Sequence, residues 1–269
     1  MNKAVRWTSW LACTCLSVVA ARAQEAVPGK LYVAETGGGV TLTAADKLVD
    51  AKKGLSVPAP GDRLETAAAA YVVAVYSNGT AIYLDQKSVL EIETFTQKPF
   101  PAGTDTSVNE PSVSTTLARL SQGRVIVATN KLATGTSMVY LTPHGEVRIR
   151  GQEVVIEAND RQTRILVVQG DVTVLRNHAP AGEVGRVLKS GEMAVLGAET
   201  PGDLAGSVSA LAPAQVTPLT PQIEAAERAR TIVRFESVDS GSNIQPRVSV
   251  PTNLPVNLTV SPSTLQTGG

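Results

Sequence analysis

Through the middle of the chain, apolar side chains recur at every second position, and Gly, Pro, Asn or Asp interrupts the runs at short intervals. That period places alternate residues on opposite faces of an extended strand. Residues 71–76, 80–84, 88–93, 146–150, 153–157, 164–169 and 171–175 all follow it and are predicted as short strands. Residues 165–168 (Ile165, Leu166, Val167, Val168) are apolar without a break, which predicts a central strand covered on both faces. Residues 67–70 are four alanines, good helix formers, but Val72, Val73 and Val75 follow at once, so the segment is read as a strand.

Helical spacing is found in two places. Residues 114–120 follow Pro111, and in 222–233 Ile223, Ala226, Ala229 and Val233 fall near one face behind Pro221, a proline suited to a first turn. Gly123, Gly170 and Gly191 each introduce a run of strand residues (Arg124 to Val127, Asp171 to Val174, Glu192 to Val195). Their separations are unequal, which predicts a sheet turning back through similar corners and not an array of fixed period. The fold class expected is all-β, an irregular solenoid or sandwich with a short C-terminal helix and a Pro-rich tail.

The ends differ from the middle. Lys3 and Arg6 precede an apolar stretch through Leu11, Leu16, Val18 and Val19, and Ala21 and Ala23 supply small residues. This is the pattern of a secretory signal peptide over 1–23, with cleavage expected after Ala23 and a periplasmic or extracellular product. Cys13 as a lipid acceptor fits poorly behind Trp10, Leu11 and Ala12. Residues 24–56 are read as a β segment packed on a main domain over 57–197. Residues 198–269, with prolines at 201, 213, 218, 221, 246, 251, 255 and 262, form an extension carrying the helix near 222–233. Proteolysis is expected to attack that extension first.

Composition narrows the chemistry. Both cysteines, Cys13 and Cys15, fall in the segment to be removed, so no thiol or disulfide is expected in the mature chain. Loss of Lys3, Arg6 and Arg22 turns 24 basic and 24 acidic residues into 21 against 24, which gives no global attraction to nucleic acid. No later apolar run is long enough to span a bilayer. Aromatics are 4% of the chain, so the core must be built mainly from Val, Ile, Leu and Ala.

Candidate catalytic groups are sparse. His144 and His178 are far apart in sequence and read as exposed turn residues; neither supplies a zinc-ligand spacing. Glu91 with Glu93, and Glu153 with Glu157, share faces of their strands, as acids on the wet side of a half-buried sheet do. The triplet Gly37, Gly38, Gly39 lacks the Lys and Ser or Thr of a phosphate loop. No catalytic residue, metal site or cofactor is expected. Arg148, Arg150, Arg161 and Arg164 form a possible interaction surface, set against neutralisation by Glu146, Glu153 and Glu157. The stretch 98–111 is read as a connecting loop whose length also makes it a surface to test.

Five motifs in order carry a family likeness. They are Gly61-Asp62-Arg63-Leu64-Glu65-Thr66 with Asn78-Gly79-Thr80; Leu120-Ser121-Gln122-Gly123-Arg124-Val125; the run Thr142-Pro143-His144-Gly145 through Arg150-Gly151-Gln152; Val167-Val168-Gln169-Gly170-Asp171-Val172; and Ser190-Gly191-Glu192. Over residues 57–196 the chain resembles the FecR domain, the periplasmic module of bacterial iron-transport regulators and of many surface proteins. Val147, Arg148 and Gln152 depart from the small residues and threonine usual there; a bulky Arg148 should point outward or alter the packing. The regulators of the family join a cytoplasmic anti-sigma segment and a membrane helix to this domain, and neither is read here. The resemblance implies an exported, non-enzymatic envelope protein binding another envelope protein or a cell-wall glycan. Its alternative is a component of FecR-type cell-surface signalling acting in trans with a transporter or membrane regulator, with an envelope hydrolase a distant third.

Overall fold

The computed structural model describes residues 25–45, 47–106, 108–177, 179, 182–197, 204–238 and 243–248. The signal-like segment 1–23, His178 and the last 21 residues lie outside them. The chain begins with β1 (Val27–Pro28), β2 (Lys30–Gly37), β3 (Val40–Ala44), β4 (Lys47–Asp50) and β5 (Ser56–Pro58). It continues through β6 (Asp62–Thr66), β7 (Tyr71–Tyr76), β8 (Ala81–Leu84), β9 (Val89–Gln97) and the long β10 (Ser114–Ala128). Next come β11 (Ser137–Leu141), β12 (Gly145–Ile149), β13 (Glu153–Ala158), β14 (Gln162–Gln169) and β15 (Asp171–Arg176). After β16 (Arg186–Lys189), β17 (Glu192–Gly197) and β18 (Val208–Ala210) follow α1 (Pro213–Val216), α2 (Thr220–Ile232) and a hairpin of β19 (Val233–Val238) and β20 (Asn243–Val248).

Two sheets share β10. Its first half lies in a sheet ordered β4-β3-β6-β9-β10-β11-β12-β15-β16, with β1 extending the edge of β9. Its second half lies in a sheet ordered β5-β2-β7-β8-β10-β13-β14-β17-β18. The β10–β11 pairing is parallel and the other pairings within these two sheets are antiparallel. The pairings branch outward from β10 and never return on themselves, so no barrel closes, and the all-β expectation of a sandwich-like fold holds. β10 changes sheet at Gly123, whose φ of +91° suits glycine, and a Cβ there would stand 2.1 Å from Ser88 Oγ.

Alternation explains the layers. Leu42, Leu64, Leu90, Ile92, Val147 and Ile149 of the first sheet meet Val72, Ile82, Val125, Val154, Ile165 and Val167 of the second in one buried core. Each large side chain buried this way contributes about 1.5–3 kcal/mol. The second sheet is also covered on its far side, where Val73, Val75, Ile126, Val155 and Leu166 pack against Ile223, Ala226, Ala229, Phe235 and Ile244. Residues 165–168 are apolar throughout because their strand is covered on both faces. The outer face of the first sheet carries charge instead: Arg119 with Glu93 at 2.6 Å, Arg63 with Glu65 at 3.2 Å, and Arg148 with Glu146.

Three sequence expectations are corrected. Residues 114–120 are strand, not helix: Ser114, Thr116, Ala118 and Leu120 are buried with more exposed residues between them, a period of two. Residues 67–70 are a turn between the two sheets, with Ala69 at φ 56° and its N–H held by Gln86 Oε1 at 3.0 Å. Gly151, between the runs 146–150 and 153–157, reads in the sequence as a tight reversal needing positive φ, but its φ is not positive; its partner across the corner, Gly170, has φ +94°.

Gly151 remains sensitive, because a Cβ there would lie 2.8 Å from Gln169 O and 2.9 Å from Asp171 N. Gly151→Val is expected to cost about 1–3 kcal/mol through forced displacement of backbone. Thermal melting checks it; an unchanged melting temperature would show that the corner yields freely.

The stretch 98–111 is pinned at its end. Glu110, buried, accepts hydrogen bonds at Oε1 from Ser114 Oγ (2.6 Å) and Asn78 Nδ2 (3.3 Å), and at Oε2 from Ala133 N and Thr136 Oγ1 (both 2.6 Å). The same loop receives the C-terminal hairpin: Phe235 N donates to Thr106 Oγ1 at 3.2 Å, and Arg234 lies 3.6 Å from Asp105. Asn130 joins the loop to α2 by donating to Thr106 O (2.7 Å) and accepting from Arg230.

Candidate interaction surface

The corner before β12 is set by Thr142, whose hydroxyl accepts from Gly145 N at 3.0 Å and donates to Gly145 O at 2.7 Å. Thr163 Oγ1 donates to Thr142 Oγ1 at 3.1 Å and stands 3.2 Å from His144 Nδ1. His144 is therefore a turn residue, half-buried and tied to the second sheet through Thr163, with no nucleophile or carboxylate partner in that set. From this corner β12 runs with Val147 and Ile149 in the core and Glu146 and Arg148 outward. Arg148 points outward, as its bulk required, and its Nε donates to Glu146 two residues away on the same face. An exposed pair of this kind contributes little stability.

Arg150 follows β12, exposed, its N–H bonded to Asp171 O at 3.1 Å. Among the described residues its guanidinium forms no ion pair. Arg148 and Arg150 line one side of a cleft of about 330 Å³ on the first sheet, with Ser137, Thr173, Glu183 and Val184 around it. Glu183 lies 3.7 Å from Arg176, and Val184 is 90% exposed, so the rim combines a free cation with an uncovered apolar side chain. The neighbouring β16 is an outer strand of that sheet with Val187 exposed, and an unpaired strand edge is a natural template for a partner's extended segment.

Arg161 and Arg164 lie elsewhere. Asn159 Oδ1 accepts from Arg161 N (2.8 Å) and Gln162 N (2.9 Å), which builds the β13–β14 turn and leaves Arg161 at its tip. Arg164 donates to Glu157 Oε2 at 2.8 Å; Glu157 Oε1 accepts from Arg124 Nε at 2.8 Å, and Arg124 reaches Asp85 at 2.8 Å. This ladder crosses four adjacent strands of the second sheet. The structure brings Arg148 and Arg150 together on one sheet and places Arg161 and Arg164 on the other.

The paired carboxylates also separate. Glu93 is held by Arg119, Glu157 by its two arginines, and Glu153 is raised above the usual carboxylate range by burial and by Glu227, with Arg230 opposing. Among the described residues no three of His, Cys, Asp or Glu converge as metal ligands. No helix among them is long and apolar enough to cross a membrane.

No curated protein matches the chain. Two crystal structures of proposed anti-sigma factors from Parabacteroides distasonis are similar to it. One, at 2.50 Å, is 15% identical over 59% of this chain and 63% of its own length, with a TM-score of 0.41. The other, at 1.65 Å, is 11% identical over 70% of this chain and 99% of its own, with a TM-score of 0.40. This chain thus spans less than two thirds of the first of them. Residues 62–173, from the start of β6 into β15, match the family described as FecR protein.

Proposed function

We propose that this chain is an exported, non-enzymatic component of FecR-type cell-surface signalling, working by contact with an outer-membrane transporter or a membrane-bound regulator. The observation that carries this reading is the FecR domain over residues 62–173, which includes β12 with Arg148 and Arg150. The signal-like segment 1–23 supports an envelope location. The asymmetry of the two sheets supports the choice of surface: the second sheet is covered on both faces, whereas the first keeps a charged outer face and a cleft with an uncompensated arginine.

The test is affinity of the purified mature protein for solubilised envelope transporters and regulators and, separately, for cell-wall fragments. Arg148→Glu with Arg150→Glu is expected to weaken a transporter or regulator complex at least about tenfold, since reversing a cation at an interface exchanges attraction for repulsion. Binding to cell-wall fragments alone, an affinity unaffected by the double substitution, or turnover of glycan or peptide by the pure protein would overturn the reading.

A further inference from the structure

The chain holds a second cleft, on the outer side of the second sheet, between α2 and β2. Its volume, about 310 Å³, falls at the lower end of the ~300–1,000 Å³ usual for small-molecule pockets. One wall is the face of α2 presenting Ala225, Arg228, Ala229 and Ile232, residues at i, i+3, i+4 and i+7. The other is β2, through Tyr32 and Ala34. Val233 and Val248 close one end. The space exists because alanines stand at 34, 225 and 229, where larger side chains would fill a helix-on-sheet contact.

The polar groups sit at the rim. A register shift in β2 between Val33 and Glu35 re-aims Glu35, which accepts a hydrogen bond from Tyr71 Oη at 2.7 Å. Tyr71 is itself stacked on Tyr83 with ring centroids 5.3 Å apart. Glu35 is thereby held in place. Lys53, on the turn between β4 and β5, and Arg228 also line the cleft, both exposed, and among the described residues neither forms an ion pair. Two cations against one carboxylate leave the mouth net positive above an apolar floor.

We infer that this cleft binds a small amphipathic carboxylate, its chain lying between Ala34, Ala225, Ala229 and Ile232 and its head group meeting Arg228 and Lys53. Arg228 offers the planar fork that matches a carboxylate in two parallel hydrogen bonds, and Lys53 adds a point charge. The site lies outside the residues matched to the FecR family and does not depend on the signalling proposal.

The test is calorimetric titration of the mature protein with decanoate below its micellar concentration, beside decanol and decyltrimethylammonium as neutral and cationic probes of equal chain length. Saturable one-to-one binding of decanoate is expected, at least about tenfold tighter than either control. Lys53→Glu with Arg228→Glu, both exposed, should weaken decanoate binding at least about tenfold while leaving the fold intact by circular dichroism. Ala225→Leu, which fills the floor, should weaken all three probes. No saturable binding, equal affinity for the cationic probe, or unchanged affinity in the charge-reversed protein would overturn the assignment.

Discussion

Replacing Glu110 by alanine is expected to destabilise the protein by about 3–5 kcal/mol, because four donors lose their common buried acceptor. The carboxylate is the common acceptor for Asn78, Ser114, Ala133 and Thr136, which come from the β7–β8 turn, the start of β10 and the segment before β11. Alanine leaves these donors facing a space with no acceptor, and an unsatisfied buried donor costs about 1–3 kcal/mol. Rotation of the two hydroxyls and entry of water recover part of that sum. Glu110→Gln keeps one acceptor oxygen and should lose less. Urea unfolding of the two variants measures the difference; a loss below about 1 kcal/mol for the alanine variant would show that the network does not hold the loop.

Asp62 should act in the opposite sense, so that Asp62→Asn stabilises the protein at neutral and alkaline pH. The residue opens β6 with 1% of its surface exposed, and its Oδ2 has no hydrogen-bond partner among the described residues. Burial raises its pKa from 3.8 to about 7. Its charge in turn helps to hold the phenol of fully buried Tyr76 above the usual range, after burial itself and Tyr140. The folded state therefore binds the proton more tightly than the unfolded chain. Stability is highest below the unfolded value of 3.8, falls as pH rises towards about 7, and levels off above it at a penalty on the order of 4 kcal/mol. The asparagine variant carries no such proton. Its advantage over the wild type should grow between pH 4 and 7 and then stay constant; parallel pH profiles for the two proteins would contradict the assignment.

Much of this architecture is written in the period of the apolar residues. Around Arg148 the alternation of Val147, Arg148 and Ile149 gives strand, inward face and outward face directly. Helix α2 is equally legible, because Ile223, Ala226 and Ala229 repeat at helical spacing. Residues 114–120 mislead because Leu117 and Leu120 are three apart behind a proline, whereas Thr115, Thr116 and the small Ala118 carry the period of two only weakly. The four arginines looked like one patch because they are close in sequence. The chain crosses between sheets at Gly151, and that crossing divides them. Glu110 gave no signal at all, since a lone acid between Asn109 and Pro111 reads as loop and its four donors come from distant segments. A buried polar cluster assembled over such separations becomes visible only when the strands are placed.

The proposed signalling role is tested most directly by transcription in cells. Deleting this protein should change the transcript level of an envelope transporter operon, wild-type protein should restore it, and the Arg148→Glu, Arg150→Glu protein, exported in equal amount, should not. Transcript levels unchanged by the deletion, or restored fully by the charge-reversed protein, would contradict the account.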